Sequence, residues 1–447
     1  MKVKRISWFF SLTLFSWGMA FAQETEHTMG LKEMLRYGLD NSIAIRQSVL
    51  DQQQAEYQVG EVKSSGLPQV SGEGQFQNFP NRPTQLLPGE IVNQPGTQIP
   101  VQFGTDYTMS GTIKASQLIY NHQFLTGLRA AKSSTELYSL LKIKTEEDVI
   151  YQVSNAYYQA LQLQAQVHVL DSNMNMLSQL TELTRLQYES DMVTKTDYSR
   201  VVVNKTNLST QLQSLRTSYE QQKNYLKVLI GMPMEENLEL QPSSTDNDIT
   251  LASLQNQKQD PVELEILEKQ KALNVLNKKS IQAGYVPSLA FFGQQQWQAQ
   301  RNEFNFFDSS QPWFQQTVIG LQLQVPIFDG LQKHYKMQQS KIEIDKLSLQ
   351  QTNTKRQLDM QFENAREQLT NSLASVEAQR ENRELAHEVY DQTQLLYKEQ
   401  VAGLTELLDA ERAYREAQTN YYNEVIKFRR AELDVLKAQG QLKTIIN

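Results

Sequence analysis

Residues 397–413 read YKEQVAGLTELLDAERA, and residues 188–204 read YESDMVTKTDYSRVVVN. Each stretch begins with a tyrosine, has an acidic residue nine positions later (Asp197 and Glu406), and interrupts a long segment with a helical pattern. The two stretches start 209 positions apart. The same interruption at two positions indicates an internal structural repeat in the chain. Such a repeat constrains the fold more strongly than any single segment.

The repeat extends well beyond these two stretches. NSIAIRQSVLDQQQAEYQVGEVKSSGLP, starting at residue 41, parallels DPVELEILEKQKALNVLNKKSIQAGYVP, starting at residue 260. QLIYNHQFLTG, from residue 117, parallels VPIFDGLQKHY, from residue 325. The spacing falls from 219 to 208 between these pairs because the first copy carries a proline-rich insert, residues 79–104. We predict a first repeat over residues 23–231, a linker over 232–260 and a second repeat over 261–447.

The N-terminal residues 1–22 have the pattern of a secretory signal peptide. A basic start, MKVKR, is followed by a short apolar run and by small residues at Ala20 and Ala22. We therefore expect the remaining chain to function outside the cytoplasm. The 447 residues include no cysteine, which excludes disulfides, a lipid-bearing cysteine and thiolate metal sites. The formal charge of −7, without basic clusters, argues against nucleic-acid binding.

Apolar residues recur at alternating steps of four and three along the segment before the first interruption. This heptad spacing predicts a long helix that packs against other helices. A helix from about residue 125 to residue 188 would be roughly 96 Å long at 1.5 Å per residue, so we predict a rod. The seam comprises Val149, Val153, Ala156, Ala160, Leu163, Val167, Leu170, Met174 and Leu177. A weaker seam repeats it at Leu358, Phe362, Ala365, Leu369 and Val376, and a third follows the second interruption at Ala410, Tyr414, Ala417, Tyr421, Val425 and Phe428.

Four shorter segments alternate apolar and polar residues, which is typical of strands with two unlike faces. TDYTMSGTIKASQLI (residues 105–119) and TVIGLQLQVPI (residues 317–327) alternate most cleanly, while QVSGEGQF and SLAFFGQQQWQA carry glycine in several positions. Each has about the length of a tilted transmembrane strand, although a half-buried sheet in water would show the same pattern. Four strands cannot close a barrel, which needs about eight, so strands that span a membrane must be shared among two or three chains.

The ordered set of these features resembles the TolC-type outer-membrane efflux channels, the outer-membrane factor family. The resemblance rests on the duplicated helix–strand–strand–helix–helix order, LP and VP before the first strand of each copy, VPIFDG after the last strand, and LLDAERAYREAQ at the second interruption. It implies an α+β membrane protein in two tandem repeats, with four transmembrane β-strands and long coiled-coil-like helices in each protomer. Three protomers would form a 12-stranded β-barrel in the outer membrane, continuous with an α-helical barrel that extends into the periplasm.

The family also implies a function and partners. The expected function is that of a passive exit duct in a tripartite export system, with a periplasmic adaptor (a membrane fusion protein) and an inner-membrane pump of the resistance-nodulation-division (RND) or ABC class. The expected environment of the barrel is outer-membrane lipid. Two alternatives stay open: the outer-membrane component of a type I protein secretion system, and a structural tether that spans the periplasm without transporting anything. Alternating strands favour a duct over a tether, because a tether has no use for them.

The resemblance identifies the two interruptions as helix-turn-helix tips at the periplasmic mouth. Tyr397 and Asp197 match the tyrosine and aspartate with which family members close this end, so we expect a hydrogen bond between them. Glu406 and Asp409 would form acidic rings in a symmetric tube and select cations. Family tips usually have glycine three residues after the tyrosine, whereas this chain has Asp191 and Gln400 there, and the family's basic lock position falls on Ala402.

The turns of the two tips are the predicted docking site for the adaptor, because small or apolar residues there would pack against another helical tip. This predicted docking set is Met192, Val193, Thr194, Gly403, Leu404 and Thr405. No catalytic motif is present: the five histidines are isolated, and neither G-x-S-x-G nor a phosphate-binding loop occurs. We therefore predict no enzyme activity, no metal and no cofactor.

Overall fold

A four-stranded antiparallel sheet lies at one end of a bundle of long helices. The computed structural model describes residues 26–92, 95–241 and 261–446. The predicted signal peptide lies outside these ranges. Its strands are β2 Gln69–Asn78, β5 Tyr107–Tyr120, β7 Ser288–Arg301 and β8 Phe314–Gln324. They lie side by side in the order β2–β5–β7–β8, so that strands from both repeats form one sheet.

The six principal helices repeat with the spacing that the sequence predicts. Adding 219 to the bounds of α2 gives those of α5, and adding 209 to the end of α3 and the start of α4 gives the end of α6 and the start of α7. The 68 residues of α3 extend about 100 Å at 1.5 Å per residue, which confirms the predicted rod. The bounds are α2 Ile43–Ser64, α3 His122–Glu189, α4 Lys195–Ile230, α5 Val262–Ala283, α6 Gln332–Lys398 and α7 Leu404–Ala438.

The predicted heptad seams form the interior of the helical bundle. In α3, six of the nine seam residues are buried, and Leu163, Val167 and Met174 are half-buried. The apolar cluster nearest the tips joins all four long helices, with Leu177 from α3, Val201 from α4, Tyr397 from α6 and Leu407 from α7. Each long helix buries one stripe of its surface. It therefore needs neighbouring helices along that stripe for most of its length.

A second cluster, midway along α3 and at the C-terminal ends of α4 and α7, contains structure that the sequence analysis did not predict. Strand β1 (Glu26–Met29) pairs in parallel with β6 (Asn237–Leu240), and α1 (Leu31–Asn41) packs beside them. Strand β6 falls within the predicted linker, but Met232, Leu238 and Leu240 are at most 4% exposed. This part of the segment is therefore anchored to the core by these three side chains, and the rest of the predicted linker, residues 242–260, lies outside the described ranges.

The proline-rich insert forms a small hairpin between β2 and β5. Strand β3 (Thr84–Pro88) pairs with β4 (Gln98–Gln102), and a 3-10 turn (Gly89–Val92) follows β3. The second repeat has no equivalent hairpin in its β7–β8 loop, all of which the structure describes. This insertion accounts for the change in repeat spacing that the sequence shows.

Candidate functional site

The sheet has one apolar face and one polar face, and the strand register defines both. Residues directly opposite each other in an antiparallel pair point to the same side of the sheet. Gln295 and Thr317, which are hydrogen-bonded to each other, are polar exceptions on the apolar face, as are Asn78, Arg301 and Gln315. The apolar face comprises Val70, Phe76, Tyr107, Met109, Ile113, Ala115, Leu289, Phe291, Trp297, Ile319, Leu321 and Leu323. The polar face includes Ser71, Glu73, Gln75, Thr108, Ser110, Thr112, Lys114, Gln294, Gln296, Gln298, Gln316, Gln322 and Gln324, and its large apolar exceptions include Phe292, Phe314 and Val318.

Charge on the polar face is sparse and balanced. The Lys114 ammonium lies 2.8 Å from a Glu73 carboxylate oxygen, on neighbouring strands, and most other polar side chains of this face are amides and hydroxyls. Among the described strands, neither β2 nor β8 has a partner on its outer side. On β8 the apolar side chains of Ile319, Leu321 and Leu323 are each at least 65% exposed. An exposed apolar edge strand of this kind invites pairing with another chain.

At the opposite end, the two tips have the same backbone geometry. Asp191 and Gln400 hold left-handed conformations, with φ of 59° and 62°. In the first tip the amide of Met192 donates to the Gln187 carbonyl, and in the second the amide of Val401 donates to the Leu396 carbonyl, both at 2.8 Å. This is the six-to-one hydrogen bond of a Schellman helix end, which normally uses glycine at the left-handed position. The turn geometry is therefore kept without glycine.

Two of the predicted gate acids take part in the caps of the helices that begin at the tips. Thr194 precedes α4, and its hydroxyl accepts from the Asp197 amide and donates to the Asp197 carboxylate at 2.7 Å. Glu406 holds the equivalent place in α7 and accepts a hydrogen bond from the Gly403 amide at 3.3 Å. A carboxylate three residues into a helix also interacts favourably with the helix dipole. Asp409 is exposed and forms an ion pair with Arg412 at 3.6 Å.

Within the single chain, Tyr397 bonds to a partner other than the predicted Asp197. The Tyr397 hydroxyl instead donates to the side-chain oxygen of Gln187 at 3.2 Å, because α6 packs against α3 here and the Asp197 carboxylate is engaged by its own helix cap. Tyr397 is only 8% exposed, and burial raises its pKa. Its repeat counterpart, Tyr188, is exposed and stacks on Tyr198.

A second hydrogen bond also joins the two hairpins near the tips. The Arg200 guanidinium, from α4, donates to the Thr405 hydroxyl of α7 at 3.3 Å. Together with Tyr397–Gln187, it connects the first repeat to the second on two sides of the same end. Gln187 and Arg200 were missed by the sequence analysis, because neither the repeat nor the heptad pattern marks a contact between helices of different hairpins.

Five of the six residues of the predicted docking set reach the surface of the tips. Met192, Thr194, Gly403 and Thr405 are exposed, and Val193 is half-buried. Leu404 is the exception: it is only 9% exposed because it begins α7 and packs into the cluster that joins the four helices. Val401 is 74% exposed and was missed, although it is the repeat counterpart of Met192. A surface depression of about 640 Å³ lies between the two tips, lined by Gln187, Asp197, Tyr397 and Gly403.

A largely buried carboxylate lies behind the tips. Glu411 of α7 has its Oε1 atom 3.2 Å from the Arg415 guanidinium, and burial raises the pKa of this carboxyl despite that partner. It lines a pocket of about 140 Å³ between α3 and the second hairpin, beside Tyr390 and Tyr397. In the ranges that the structure describes, no cluster of histidine or acidic residues has the arrangement of a metal site. None of the helices in the same ranges is long and apolar enough to cross a lipid bilayer.

Comparison with known proteins shows which fold the chain shares. Residues 277–446, which span most of the second repeat, match the family model described as outer membrane efflux protein. Among curated protein sequences, none matches the chain.

Three solved structures illustrate the similarity over the whole chain. The outer membrane protein VceC of Vibrio cholerae is 14% identical, with a TM-score of 0.68 over 92% of this chain and 96% of its own. The CmeC outer membrane channel of Campylobacter jejuni is 15% identical, with a TM-score of 0.70 over 92% and 85%. The MtrE outer membrane channel of Neisseria gonorrhoeae, in its open state, is 15% identical, with a TM-score of 0.67 over 92% and 88%. The chain has the fold of these outer-membrane channels.

Proposed function

We propose that the chain is the outer-membrane exit duct of a tripartite export system and conducts substrates passively from the periplasm to the outside. The observation that carries this proposal is the two-faced sheet with two open edges. One face carries mainly apolar side chains on all four strands, and the other carries mainly amides and hydroxyls. Transmembrane barrels show this alternation, with apolar residues toward lipid and polar residues toward the lumen.

Open edges require the sheet to be completed by other copies of the chain. Hydrocarbon does not tolerate unpaired strand edges, and four strands are too few to enclose a lumen. Three copies would pair β8 of one protomer with β2 of the next and give twelve strands. The helices would then continue the lumen into the periplasm for about 100 Å, as far as the tips.

The tips would bind a periplasmic adaptor. An inner-membrane RND or ABC transporter would supply the energy for export. Support for docking comes from the exposed Met192 and Val401, which occupy equivalent turns of the two repeats. The two-faced sheet also favours a duct over a structural tether, because a tether gains nothing from a polar inner face. Protein secretion is a second use of the same duct, because the pump, rather than the chain, would select the cargo.

The direct test is conductance of the purified protein in planar bilayers, measured alongside its mass in native mass spectrometry. We expect trimers as the main folded species and stepwise insertion of conducting units. Folded monomers without conductance would refute the proposed duct.

A further inference from the structure

The loop between β7 and β8, residues 302–313, folds back over the apolar face of the sheet. Its Phe304 and Phe306 rings lie 5.7 and 5.9 Å from the ring of Phe76, and Phe304 lies 6.3 Å from the ring of Tyr107. Phe76 and Tyr107 both belong to the apolar face by strand register. The loop therefore lies on the side of the sheet that the proposed function turns toward lipid, and not over the polar face.

Beneath this loop the sheet buries an arginine. Arg301 shares the apolar face with Tyr107, its register partner, yet is only 7% exposed. Its guanidinium donates to the Pro312 carbonyl at 2.7 Å and to the Gln300 carbonyl at 3.0 Å, and no carboxylate among the described residues forms an ion pair with it. A charged side chain on a lipid-facing strand is destabilising at the bilayer midplane and less so near the interface. The loop removes this charge from the outer surface.

The outer side of the same loop carries large apolar side chains. Phe307 is 86% exposed, Phe304 59% and Trp313 39%. These rings continue the apolar face beyond the ends of the strands. Aromatic side chains concentrate where the hydrocarbon core meets the headgroups, because an aromatic ring is favoured in that mixed environment.

We propose that loop 302–313 is a membrane anchor that places Phe304, Phe307 and Trp313 in the boundary between headgroups and acyl chains of the outer leaflet. Arg301 is the positioning residue, because its bond to the Pro312 carbonyl holds the end of the loop against the sheet. This inference rests on the proposed function, which turns the apolar face toward lipid. It adds that an extracellular loop lies beside the barrel, in contact with lipid.

The tryptophans provide a direct test. The sequence has four, Trp8, Trp17, Trp297 and Trp313, of which the first two lie in the predicted signal peptide. Trp297→Phe leaves Trp313 as the reporter of the loop. In reconstituted trimers we expect Trp313 to lose emission in vesicles of phospholipid brominated near the headgroup end of the chains, and to resist acrylamide in the water. Quenching by acrylamide with no effect of the brominated lipid would overturn the anchor.

The reciprocal variant separates the anchor from the barrel. Trp313→Phe leaves Trp297, which lies on the apolar face of β7. Quenching of Trp297 by brominated lipid, without quenching of Trp313, would reject the anchor and keep the proposed duct. If brominated lipid quenches neither Trp297 nor Trp313, the lipid-facing orientation of the apolar face is rejected as well.

The role of Arg301 has its own readout. In the Trp297→Phe background, Arg301→Gln removes the guanidinium that reaches the Pro312 carbonyl, so we expect acrylamide to quench Trp313 more strongly and brominated lipid to quench it less. Phe304→Ser combined with Phe307→Ser should change the quenching of Trp313 in the same direction, because it removes the neighbouring rings. If neither change alters the quenching of Trp313, then neither Arg301 nor the two aromatic rings hold the loop at the lipid, and the anchor is refuted.

Discussion

Asp191 and Gln400 occupy a backbone region in which a side chain is strained, and both tips retain that strain. A left-handed residue with a Cβ atom costs about 1–2 kcal/mol, and aspartate tolerates this conformation better than glutamine. We expect Gln400→Gly to stabilise the second tip by about 1 kcal/mol, and Asp191→Gly to stabilise the first tip by less. Thermal unfolding of the trimer measures both. Glu399→Gly is the matched control, because φ there is −83° and glycine should only destabilise.

Glu411 gives stability a pH dependence. Its pKa is raised on folding, so its contribution favours the folded state below the unfolded pKa and is lost as the pH rises through the folded pKa. At neutral pH the buried carboxylate therefore costs stability that an amide does not. Glu411→Gln should melt at a higher temperature than wild type at neutral pH, and the gap should close in acid. The exposed neighbour Glu416 offers a control, since Glu416→Gln should leave the melting profile unchanged.

Two hydrogen bonds join the helical hairpins at the end where a closed tunnel would have to open. A neutral bond such as Tyr397–Gln187 contributes about 1 kcal/mol, and three copies in the proposed trimer would shift the closed-to-open ratio roughly a hundredfold. Tyr397→Phe should therefore conduct more than wild type in planar bilayers, and Arg200→Ala should act in the same direction. Tyr188→Phe keeps its stack on Tyr198 and should change nothing. If Tyr397→Phe and Arg200→Ala conduct no more than wild type and the Tyr188→Phe control, this end is excluded as a gate.

Cation selectivity is a separate prediction for the same tips. Glu406→Gln with Asp409→Asn removes charge, while the amide oxygen that replaces the Glu406 carboxylate can still accept from the Gly403 amide, so folding should be unaffected. If these acids face the lumen, reversal potentials across a salt gradient should show a weaker preference for cations. An unchanged reversal potential would leave Glu406 as a helix cap and Asp409 as the partner of Arg412.

Docking depends on the turns between the helices. Met192→Glu with Val401→Glu should abolish export in cells that supply the adaptor and pump, because buried charge at a tip-to-tip contact is not compensated. Val401→Thr, similar in shape and uncharged, should export normally. Trimers in the membrane and normal conductance without an adaptor must persist in the charged variant. Export by the charged variant would move the docking site away from the turns.

Periodicity explains which elements could be predicted from the sequence. Heptads and alternation depend on neighbours along the chain, so the long helices, the four strands and the faces of the sheet followed from residue spacing. The position of Leu404 could not be predicted, because burial at a helix start depends on the neighbouring hairpin. The Tyr397–Gln187 bond and strand β6 depend on contacts between segments far apart in sequence, which spacing alone does not show.

The two ends of the molecule differ, and this difference predicts its orientation in the membrane. The insert hairpin and loop 302–313 lie at the sheet end of the rod, and the tips lie at the other. An epitope placed after Pro95 should bind antibody on intact cells, whereas one at Ser244, in the part of the predicted linker outside the described ranges, should not. Equal labelling of both sites would reverse or abolish the proposed orientation.

The matching bounds of the two repeats have a consequence for ancestry. A half-length chain with one strand pair and one hairpin could build the same ring from six identical copies. Fusion of two such halves would turn six equivalent tips into two sets of three, each free to mutate without changing the other. Thr194 caps one tip and Gly403 the other, and Tyr188 is exposed where Tyr397 is buried. After such a fusion, substitutions in one set of tips would leave the other set unchanged, so the two halves could take on different roles.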